Sequence, residues 1–308
     1  MINDFEILKK CRLCPRKCLI DRFNGNSGYC KSGAGYEIAS ISVHHGEEPV
    51  ISGSKGICNV FFSHCNLQCI YCQNYQISRK ECRIKPQERT LEDILSEIIP
   101  ILKSGVESIG FVSPSHMVPQ MKEIIYALHD KGYFPFVVYN TNGYDSLETL
   151  QSLDGWVDVY LPDFKYSDPE LASKYSGAYN YPEIAGLAIK EMYRQKGNVI
   201  HMNENGVAEG GLLVRHLVLP GAVENSKGVL RYIARELSTG ISISLMSQYS
   251  PVPDTLGLRP LNRKLKVSEY YQVVEEMEQL GFSKGWVQEI DSAGFYFPDF
   301  ESENPFGQ

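Results

Sequence analysis

Residues 61–74 read Phe-Phe-Ser-His-Cys-Asn-Leu-Gln-Cys-Ile-Tyr-Cys-Gln-Asn, in which Cys65, Cys69 and Cys72 are separated by three and then two residues. A closed structural zinc site takes four ligands, and an ordinary four-iron four-sulfur cluster also takes four cysteines. Three thiolates on one short loop therefore leave one iron of such a cluster without a protein ligand, which is typical of a catalytic metal site. The alternative is a zinc site completed by His64, Cys58 or Cys82.

A second group of cysteines lies near the N-terminus, at Cys11, Cys14, Cys18 and Cys30, with two, three and eleven residues between them. Four thiolates on a short segment suit tetrahedral zinc, and they equally suit an auxiliary four-iron cluster. Metal binding would supply roughly 10 to 16 kcal/mol to the folding of a segment that has little visible periodicity. The sequence thus predicts a second metal site of one of these kinds, with free or redox-active thiols as the alternative.

The overall composition excludes several classes of protein. The 308 residues are 43% hydrophobic, enough for one sizeable core, and their net charge of −7 gives no basic footprint for nucleic acid. Nine cysteines, an odd number clustered in the first 82 residues, argue against a secreted disulfide framework. The N-terminus lacks the basic flank and long apolar run of a signal peptide, and the sequence has no run of eighteen apolar residues. We therefore expect a cytoplasmic protein without membrane or nucleic-acid partners.

From residue 57 onward, strand-like and helix-like segments alternate. The predicted strands cover residues 59–63, 108–112, 135–139, 157–161, 211–219 and 241–246. The predicted helices cover residues 91–102, 121–129, 146–152, 181–195, 227–237 and 267–280. Such alternation indicates parallel βαβ units in an α/β fold, and six units are too few to close an eight-stranded barrel. Periodicity alone leaves open whether the sheet is a partial barrel or a doubly wound sheet.

Seven short segments occur in an order that extends the pattern over nearly the whole chain. They are Gly53-Ser-Lys-Gly56, Phe61-Phe62, Cys72-Gln-Asn74, Tyr139-Asn-Thr-Asn-Gly-Tyr144, Tyr160-Leu-Pro-Asp-Phe-Lys-Tyr166, Val214-Arg-His-Leu-Val-Leu-Pro-Gly221 and Met246-Ser-Gln-Tyr249. With the cysteine spacing, they resemble the radical S-adenosylmethionine (radical SAM) superfamily, and within it the uncharacterised homologues of pyruvate formate-lyase activating enzyme. The resemblance implies a partial (βα)6 TIM-like barrel at residues 57–280, an N-terminal cysteine-rich metal-binding extension at residues 1–56 and a C-terminal tail at residues 281–308.

The resemblance also implies a cofactor. Cys65, Cys69 and Cys72 would hold a four-iron four-sulfur cluster, whose open iron takes the amino and carboxylate groups of S-adenosylmethionine. An electron would then cleave the sulfonium C–S bond and yield a 5′-deoxyadenosyl radical, which abstracts hydrogen from a substrate. Tyr71 fills a position near the cofactor that the family usually gives to an aromatic residue. The protein itself would supply orientation and a dry cavity.

Further site residues follow from the same resemblance. Most of them fall where a predicted strand ends, and parallel strands carry their chemistry at their carboxyl ends. Asp163 and Lys165 match an Asp-x-Lys element that positions the cosubstrate, with an end-of-strand aspartate that only pairs with a neighbouring lysine as the alternative. Arg215 matches an arginine that would neutralise a carboxylate through a bidentate pair, unless it only satisfies a buried acid.

The remaining site predictions concern three other strand ends. Ser113-Pro-Ser-His116 stands where the activating enzymes carry Gly-Gly-Glu, so that Ser113 would contact the cosubstrate and His116 would act as an acid or base. Asn140 or Asn142 would contact the cosubstrate as well, unless the Asn-Gly pair is only turn chemistry. Gln248 would contact adenine or ribose, unless it only ends a strand.

Three functions remain open on the sequence. The first is a radical SAM oxidoreductase that generates a glycyl radical on a partner enzyme, as pyruvate formate-lyase activating enzyme does. The second is a radical SAM enzyme that modifies another peptide or small molecule, and the third is a non-catalytic metal or electron-transfer protein. The implied partners are S-adenosylmethionine, a flavodoxin- or ferredoxin-type electron donor, and a glycyl-radical enzyme or peptide substrate. Six cysteines remain beyond the triplet, whereas a ferredoxin-like insert with two four-iron clusters needs eight, so that insert is absent.

Overall fold

Strands and helices alternate along the chain as the sequence predicts. The computed structural model describes residues 4–25, 28–82, 84, 89–290, 297–302 and 304–307. The strands are β1 Ile38–His44, β2 Ile57–Phe62, β3 Ser108–Val112, β4 Phe136–Thr141, β5 Val159–Pro162, β6 His201–Met202, β7 Ala208–Leu217, β8 Ser242–Met246 and β9 Gly285–Val287. The α-helices are α1 Pro49–Ser52, α2 Tyr75–Ser78, α3 Leu91–Lys103, α4 Val118–Asp130, α5 Leu147–Gln151, α6 Pro169–Ser176, α7 Tyr181–Lys196, α8 Val223–Glu236 and α9 Val267–Gln279. No helix in the described part of the chain has both the length and the apolar character that a membrane span needs.

The strands form one sheet in the order β1-β2-β3-β4-β5-β7-β8-β9, and β6 pairs with β7 outside that path. Strands β2, β3, β4, β5, β7 and β8 run parallel, which confirms the six predicted strands and the α/β partial barrel. β1 pairs antiparallel with β2 at one edge, and β9 pairs parallel with β8 at the other. The sheet therefore extends across the predicted boundaries at residues 56 and 280, and the division into domains stays a prediction.

Helix α3 illustrates how local sequence sets an element. The Thr90 hydroxyl accepts a hydrogen bond from the Asp93 N–H, and the Asp93 carboxylate accepts one from the Thr90 N–H, so a capping box begins the helix. Ile94, Leu95 and Ile98 then fall on one face and are buried in the main hydrophobic core. Burying a side chain of this size contributes about 1.5–3 kcal/mol, so this face anchors the helix to the sheet.

The two faces of β2 have different environments. Cys58, Val60 and Phe62 pack into the main hydrophobic core. Asn59 and Phe61 point to the inside of the barrel, because side chains alternate between the two faces of a strand. Phe61 there lines the central cavity. The inner face of β2 thus contributes one amide and one aromatic ring to the barrel interior.

The N-terminal segment packs over the loops that follow the parallel strands. The Arg16 guanidinium donates to the backbone carbonyls of Asn66 at 3.0 Å and Gly177 at 2.8 Å. Arg22, which is 2% exposed, donates to the carbonyl of His116 at 2.7 Å. These long-range hydrogen bonds hold the predicted extension against the loops that carry the predicted site residues.

The C-terminal segment packs against the inner face of β2. The rings of Phe300 and Phe306 lie 5.2 Å and 5.6 Å from the ring of Phe61, centroid to centroid. Phe306 also contacts the ring of His44 at 4.0 Å. The Gln76 side chain fixes this segment, because its Oε1 accepts a hydrogen bond from the Phe300 N–H at 2.8 Å. An aromatic wall therefore closes the β1 side of the barrel.

Candidate active site

A cavity of about 390 Å³ lies at the carboxyl ends of the parallel strands and extends into the barrel. It brings together most of the site residues that the sequence predicts: Cys65, Cys69, Tyr71, Cys72, Ser113, Asn140, Asn142, Asp163, Lys165, Arg215 and Gln248. His116 and the four N-terminal cysteines do not line it. Its volume falls in the range of roughly 300–1,000 Å³ that is typical of small-molecule sites.

Each thiol of the cysteine triplet accepts a hydrogen bond from its own donor. The pairs are Asn142 Nδ2 to Cys65 Sγ at 3.3 Å, Ser176 Oγ to Cys69 Sγ at 3.0 Å and Ser78 Oγ to Cys72 Sγ at 3.3 Å. None of the three cysteines is in a disulfide. Hydrogen bonds to sulfur stabilise the thiolate form and tune the potential of an iron–sulfur cluster. The donor set therefore fits the cluster that the spacing predicts. Ser176 and Ser78 carry no motif, so sequence reasoning missed them.

Burial keeps the thiols of Cys65 and Cys69 protonated until a metal displaces the protons. Burial raises the pKa of Cys69 to about 12, and the Lys165 ammonium offsets only part of that rise. Burial likewise raises the pKa of Cys65, against the hydrogen bond from the Leu67 N–H. Because iron binds the thiolate and not the thiol, loading of the site releases protons.

Asp163 and Lys165 form an ion pair in the cavity wall. The Nζ of Lys165 lies 2.5 Å from the Oδ2 of Asp163, and the side chains are 15% and 22% exposed. Burial alone would lower the pKa of Lys165, but the Asp163 carboxylate outweighs burial and raises it above its ordinary value. The ammonium thus stays charged next to the cysteine loop. The structure thus shows the pairing of the alternative, placed in the cavity wall, and a contact with the cosubstrate stays a prediction.

Tyr181, which sequence reasoning missed, joins the ends of β4 and β5. Its hydroxyl contacts the backbone carbonyls of Asn142 at 2.8 Å and Asp163 at 3.0 Å, and it accepts a hydrogen bond from the Lys165 N–H at 2.9 Å. The side chain is fully buried. Gly143 permits the close approach of the two strand ends, because a Cβ there would lie 2.3 Å from the Asp163 carbonyl oxygen. Tyr181 therefore positions residues from both strands at once.

Local backbone conformation and turn hydrogen bonds fix the positions of Ser113 after β3 and Asn142 after β4. Ser113 has φ 55° and ψ 48°, a left-handed conformation that glycine adopts without steric cost, and its N–H donates to the Asn140 carbonyl at 2.8 Å. For Asn142 the structure shows the turn chemistry, and a contact with the cosubstrate stays a prediction. Its Oδ1 accepts from the Tyr144 N–H at 2.9 Å as in an Asx turn, while its Nδ2 reaches Cys65.

Gln248 and Tyr71 complete the predicted cofactor-binding residues. The Gln248 Oε1 accepts from the Gln288 side chain at 2.9 Å, and the Gln248 carbonyl accepts from the Gln73 side chain at 2.9 Å. Tyr71 is 5% exposed, and its hydroxyl accepts from the Tyr166 hydroxyl at 2.8 Å. Both predicted residues therefore line the cavity in conformations held by neighbouring side chains.

Arg215 pairs with two acids from the segment between β1 and α1. Its Nε and Nη2 donate to the two carboxylate oxygens of Glu48 at 2.9 Å and 2.6 Å, and Nη2 also pairs with Glu47. The Asn59 amide donates to the other Glu47 oxygen at 3.0 Å. Of the two alternatives for Arg215, the structure thus shows the buried-acid pairing, and a contact with a bound carboxylate stays a prediction. The adjacent Glu47-Glu48 pair before Pro49 was the available sequence signal, and it was missed.

His116 requires a correction. The side chain is 1% exposed and lies outside the cavity lining, with its Nε2 3.0 Å from the Ser63 carbonyl oxygen. Burial lowers the pKa of His116 to about 3, so the ring is neutral. A buried neutral ring outside the cavity is a packed histidine, and the structure gives the predicted acid–base role no support. The neighbouring Ser115 hydroxyl lies 3.1 Å from the Thr141 hydroxyl.

The four N-terminal cysteines come together outside the cavity. Cys11, Cys14 and Cys30 are buried, and Cys18 is half-buried. Burial raises the pKa of Cys14 to about 12, and the nearby thiols of Cys30, Cys11 and Cys18 add to the rise. The Sγ of Cys18 accepts a hydrogen bond from the Tyr29 N–H at 3.3 Å. Among the described residues, no three His, Cys, Asp or Glu side chains are already grouped as ligands of a metal ion, here or in the cavity.

Two uncharacterized proteins of Methanocaldococcus jannaschii are similar to this chain in sequence. MJ0674 is 27% identical over 281 residues, which cover 89% of this chain and 76% of that protein. MJ0808 is 26% identical over 226 residues, which cover 68% of this chain and 66% of that protein.

A solved structure shares the fold. The crystal structure of HydG, a maturase of the FeFe-hydrogenase, matches with a TM-score of 0.52 at 11% sequence identity. The match covers 75% of this chain and 52% of HydG, so this chain spans about half the length of that protein. At this identity the likeness concerns the fold alone, and it agrees with a mostly parallel α/β barrel.

The family model of the radical SAM superfamily matches residues 59–201. That range runs from within β2 to the start of β6, and it contains the cysteine loop and the Asp163–Lys165 pair. The matched range thus covers both the cysteine triplet and the first four parallel strands, β2 to β5. The match covers a little less than half of this chain, so residues 59–201 are similar to the radical SAM superfamily.

Proposed function

We propose that this protein is a radical SAM oxidoreductase in which Cys65, Cys69 and Cys72 hold a four-iron four-sulfur cluster and the adjoining cavity binds S-adenosylmethionine. One observation carries the proposal: three free thiols line one cavity, and each accepts a hydrogen bond from a separate donor. That arrangement suits thiolate ligands, whose remaining lone pairs accept hydrogen bonds while the sulfur binds iron.

The chain's own residues would bind and orient the cosubstrate. When bound, the cluster and S-adenosylmethionine supply the electron transfer and C–S bond cleavage that yield a 5′-deoxyadenosyl radical. The Asp163–Lys165 pair presents charge after β5, while Asn140 and Ser113 present polar groups at the ends of β4 and β3. Gln248 adds an amide after β8. Polar groups from four strand ends would thus hold one ligand from several sides, which fixes its orientation.

An aromatic layer behind the cysteine loop would keep water out. The ring of Tyr71 packs edge-on against Tyr166 at 6.4 Å, and Tyr166 packs edge-on against Tyr181 at 5.2 Å. All three side chains are buried. A dry cavity protects a reactive radical from side reactions, so these rings support a catalytic function.

The cavity favours a compact substrate. Its volume of about 390 Å³ and the packing of Phe306 on Phe61 suit a small molecule or a single side chain. Activation of a glycyl-radical enzyme is a second candidate, supported by the seven ordered segments that resemble the activating enzymes. In either case we propose a flavodoxin- or ferredoxin-type protein as the electron donor, because cleavage of S-adenosylmethionine consumes one electron.

We infer further that Cys11, Cys14, Cys18 and Cys30 hold a second metal, either structural zinc or an auxiliary four-iron cluster. The donor chemistry fits both metals, and the thiols are close enough to influence one another electrostatically. Because the described side chains form no ready ligand set, the thiols would rotate toward one another on binding.

Anaerobic reconstitution tests the main proposal. The protein is loaded with iron and sulfide, reduced in the presence of S-adenosylmethionine and assayed for 5′-deoxyadenosine. We expect product from the wild type and neither cluster nor product from Cys69→Ala. Cys58→Ala removes a buried thiol from the face of β2 that points away from the cavity. This variant should retain both the cluster and the formation of 5′-deoxyadenosine, so it is the matched control.

Two results would contradict the proposal. Undiminished product from Cys69→Ala would refute the cluster assignment. A cluster-loaded wild type that forms no 5′-deoxyadenosine would favour the non-catalytic alternative. Addition of a glycyl-radical enzyme to the active protein, with detection of an organic radical by electron paramagnetic resonance, separates the two candidate substrates.

A further inference from the structure

The floor of the cavity carries an excess of negative charge. Glu47 and Glu48 share the single guanidinium of Arg215, and the three side chains are 7 to 12% exposed. The other ion pair that lines the cavity, Asp163 with Lys165, is balanced. The described residues that line the cavity therefore include three carboxylates and two cationic side chains. With neutral histidine, one negative charge remains without a partner.

A buried hydrogen-bond acceptor lies in the same floor. His44 is 5% exposed and lines the cavity, and its Nδ1 has no hydrogen-bond partner among the residues that the structure describes. Burial lowers the pKa of His44, although the Glu47 carboxylate acts in the opposite direction. The ring is therefore neutral, and in the tautomer that carries its proton on Nε2 the lone pair of Nδ1 is free to accept a hydrogen bond. Buried polar groups are nearly always paired in native proteins, so the missing donor points to a ligand.

Aromatic rings line the same cavity. Phe61, Phe306 and Trp286 line the cavity, and the ring of Phe306 contacts that of His44 at 4.0 Å. The face of an aromatic ring attracts a cation, and most strongly where water is excluded. The apolar walls would accept an alkyl chain, while the floor offers an acceptor and a net negative charge.

The same observations exclude other ligand classes at this floor. An anion would find the Arg215 fork already occupied by two carboxylates. A bare metal ion would have to displace the hydrogen bonds that Arg215 and Asn59 already make to the carboxylate oxygens of Glu47 and Glu48. A single organic cation fits this floor, because its N–H group can donate to the His44 nitrogen and its positive charge balances the excess negative charge.

We propose that this floor binds an ammonium group, so that the enzyme acts on a primary alkylamine, either as a free molecule or as a lysine side chain. The identification of the bound amine as the substrate rests on the proposed function. Binding itself does not, because the floor is built from Glu47, Glu48, Arg215 and His44 and contains no residue of the cysteine loop.

Trp286 provides a direct measurement of binding. The chain has two tryptophans, and Trp156 is absent from the cavity lining. In a Trp156→Phe background, the fluorescence of Trp286 reports on the cavity. Anaerobically purified full-length protein is titrated with three probes of equal length: pentylamine, pentan-1-ol and pentanoate. We expect pentylamine to bind at least tenfold more tightly than either of the other two.

Charge variants then assign the binding to the floor. Glu47→Gln should weaken the binding of pentylamine at least tenfold and leave the binding of pentan-1-ol unchanged. The double variant Glu47→Gln with Asn59→Asp moves the negative charge to the hydrogen-bonded neighbour of Glu47 and should restore binding of the amine. Glu236→Gln, which makes the same change at a surface ion pair with Lys190, is the matched control and should bind like wild type. Thermal melts check that every variant is folded.

The outcomes separate the inference from the proposed function. Equal or tighter binding of pentanoate, or no effect of Glu47→Gln in a folded protein, would overturn the amine site. Production of 5′-deoxyadenosine is assayed on the same preparations, so loss of that activity with intact amine binding would count only against the proposed function. A lysine-containing peptide in place of pentylamine distinguishes a protein side chain from a free amine.

Discussion

The hydroxyl of Ser176 donates a hydrogen bond to the Sγ of Cys69 at 3.0 Å across a separation of 107 residues. Ser176 ends α6, whereas Cys69 lies in the loop after β2. The Ser176 Oγ also lies 2.7 Å from the Tyr166 hydroxyl, so the donor is held in place by the aromatic layer. The environment of the thiol is thus set by a part of the barrel remote from the cysteine loop.

Removal of this donor should change the cluster potential more than the cluster content. We expect Ser176→Ala to lower the reduction potential of the reconstituted cluster, because a hydrogen bond to sulfur stabilises the reduced, more negative state. A redox titration followed by electron paramagnetic resonance measures it. Ser173→Ala, an exposed position on the same helix, should leave the potential unchanged. An unchanged potential in Ser176→Ala with a full cluster would contradict the role of the donor.

Tyr181→Phe should loosen the wall that carries the Asp-x-Lys element. The substitution keeps the ring but removes the hydroxyl that contacts the Asn142 and Asp163 carbonyls and the Lys165 N–H. Buried polar groups left without a partner cost about 1–3 kcal/mol, so we expect a loss of that size in the free energy of unfolding. Binding of S-adenosylmethionine should weaken while iron content stays normal.

Calorimetry of S-adenosylmethionine binding and denaturant unfolding test this prediction together. Tyr179→Phe, at a side chain that is 60% exposed, is the control and should change neither quantity. If Tyr181→Phe binds S-adenosylmethionine as the wild type does, the hydroxyl has no positioning role.

Arg215→Ala should destabilise the protein by about 3–5 kcal/mol near neutral pH, because it leaves Glu47 and Glu48 buried without a cation. Burial would raise the pKa of Glu47, but Arg215 holds it below its ordinary value of 4.5 in the folded protein. In the wild type, this pairing therefore stabilises the fold above pH 4.5 and is lost as the pH falls further.

The variant should show the opposite dependence on pH. Without Arg215, burial alone raises the pKa of Glu47, so the variant regains stability as the carboxyl is protonated. The difference in stability from the wild type should thus shrink as the pH falls toward 4.5 and below. Melting temperatures across this range measure it. Arg231→Ala, at an arginine side chain that is 53% exposed and paired with Glu276, should cost no more than about 1 kcal/mol at any pH.

Cys14→Ser should remove a metal without affecting the cluster at Cys65, Cys69 and Cys72. We expect zinc or iron content to fall by one site and the melting temperature to fall with it, since metal binding contributes to folding. Formation of 5′-deoxyadenosine should persist in the folded fraction. Elemental analysis of anaerobically purified protein decides the metal, and wild type that contains only the iron of one cluster would refute the second site.

Local sequence was enough to predict most of the elements and to propose the candidate ligands. Strand β3 has the predicted bounds Ser108–Val112, and α3 begins at the predicted Leu91, because apolar periodicity and a capping box are short-range signals. The cysteine triplet is equally local, since all three ligands lie within eight residues of one another. Strands β1 and β9 escaped prediction, because β1 is mostly half-buried and β9 has only three residues.

Tertiary contacts decided the surroundings of those ligands. Glu48 reaches Arg215 across 167 residues, and Ser176 reaches Cys69 across 107. His116 and Ser113 both follow β3. His116 is buried as a packed ring outside the cavity, whereas Ser113 lines the cavity wall. Residue type and short spacing set which donor atoms the chain can offer. Burial, charge pairing and hydrogen-bond partners arise only when successive βαβ units assemble and bring distant residues into contact.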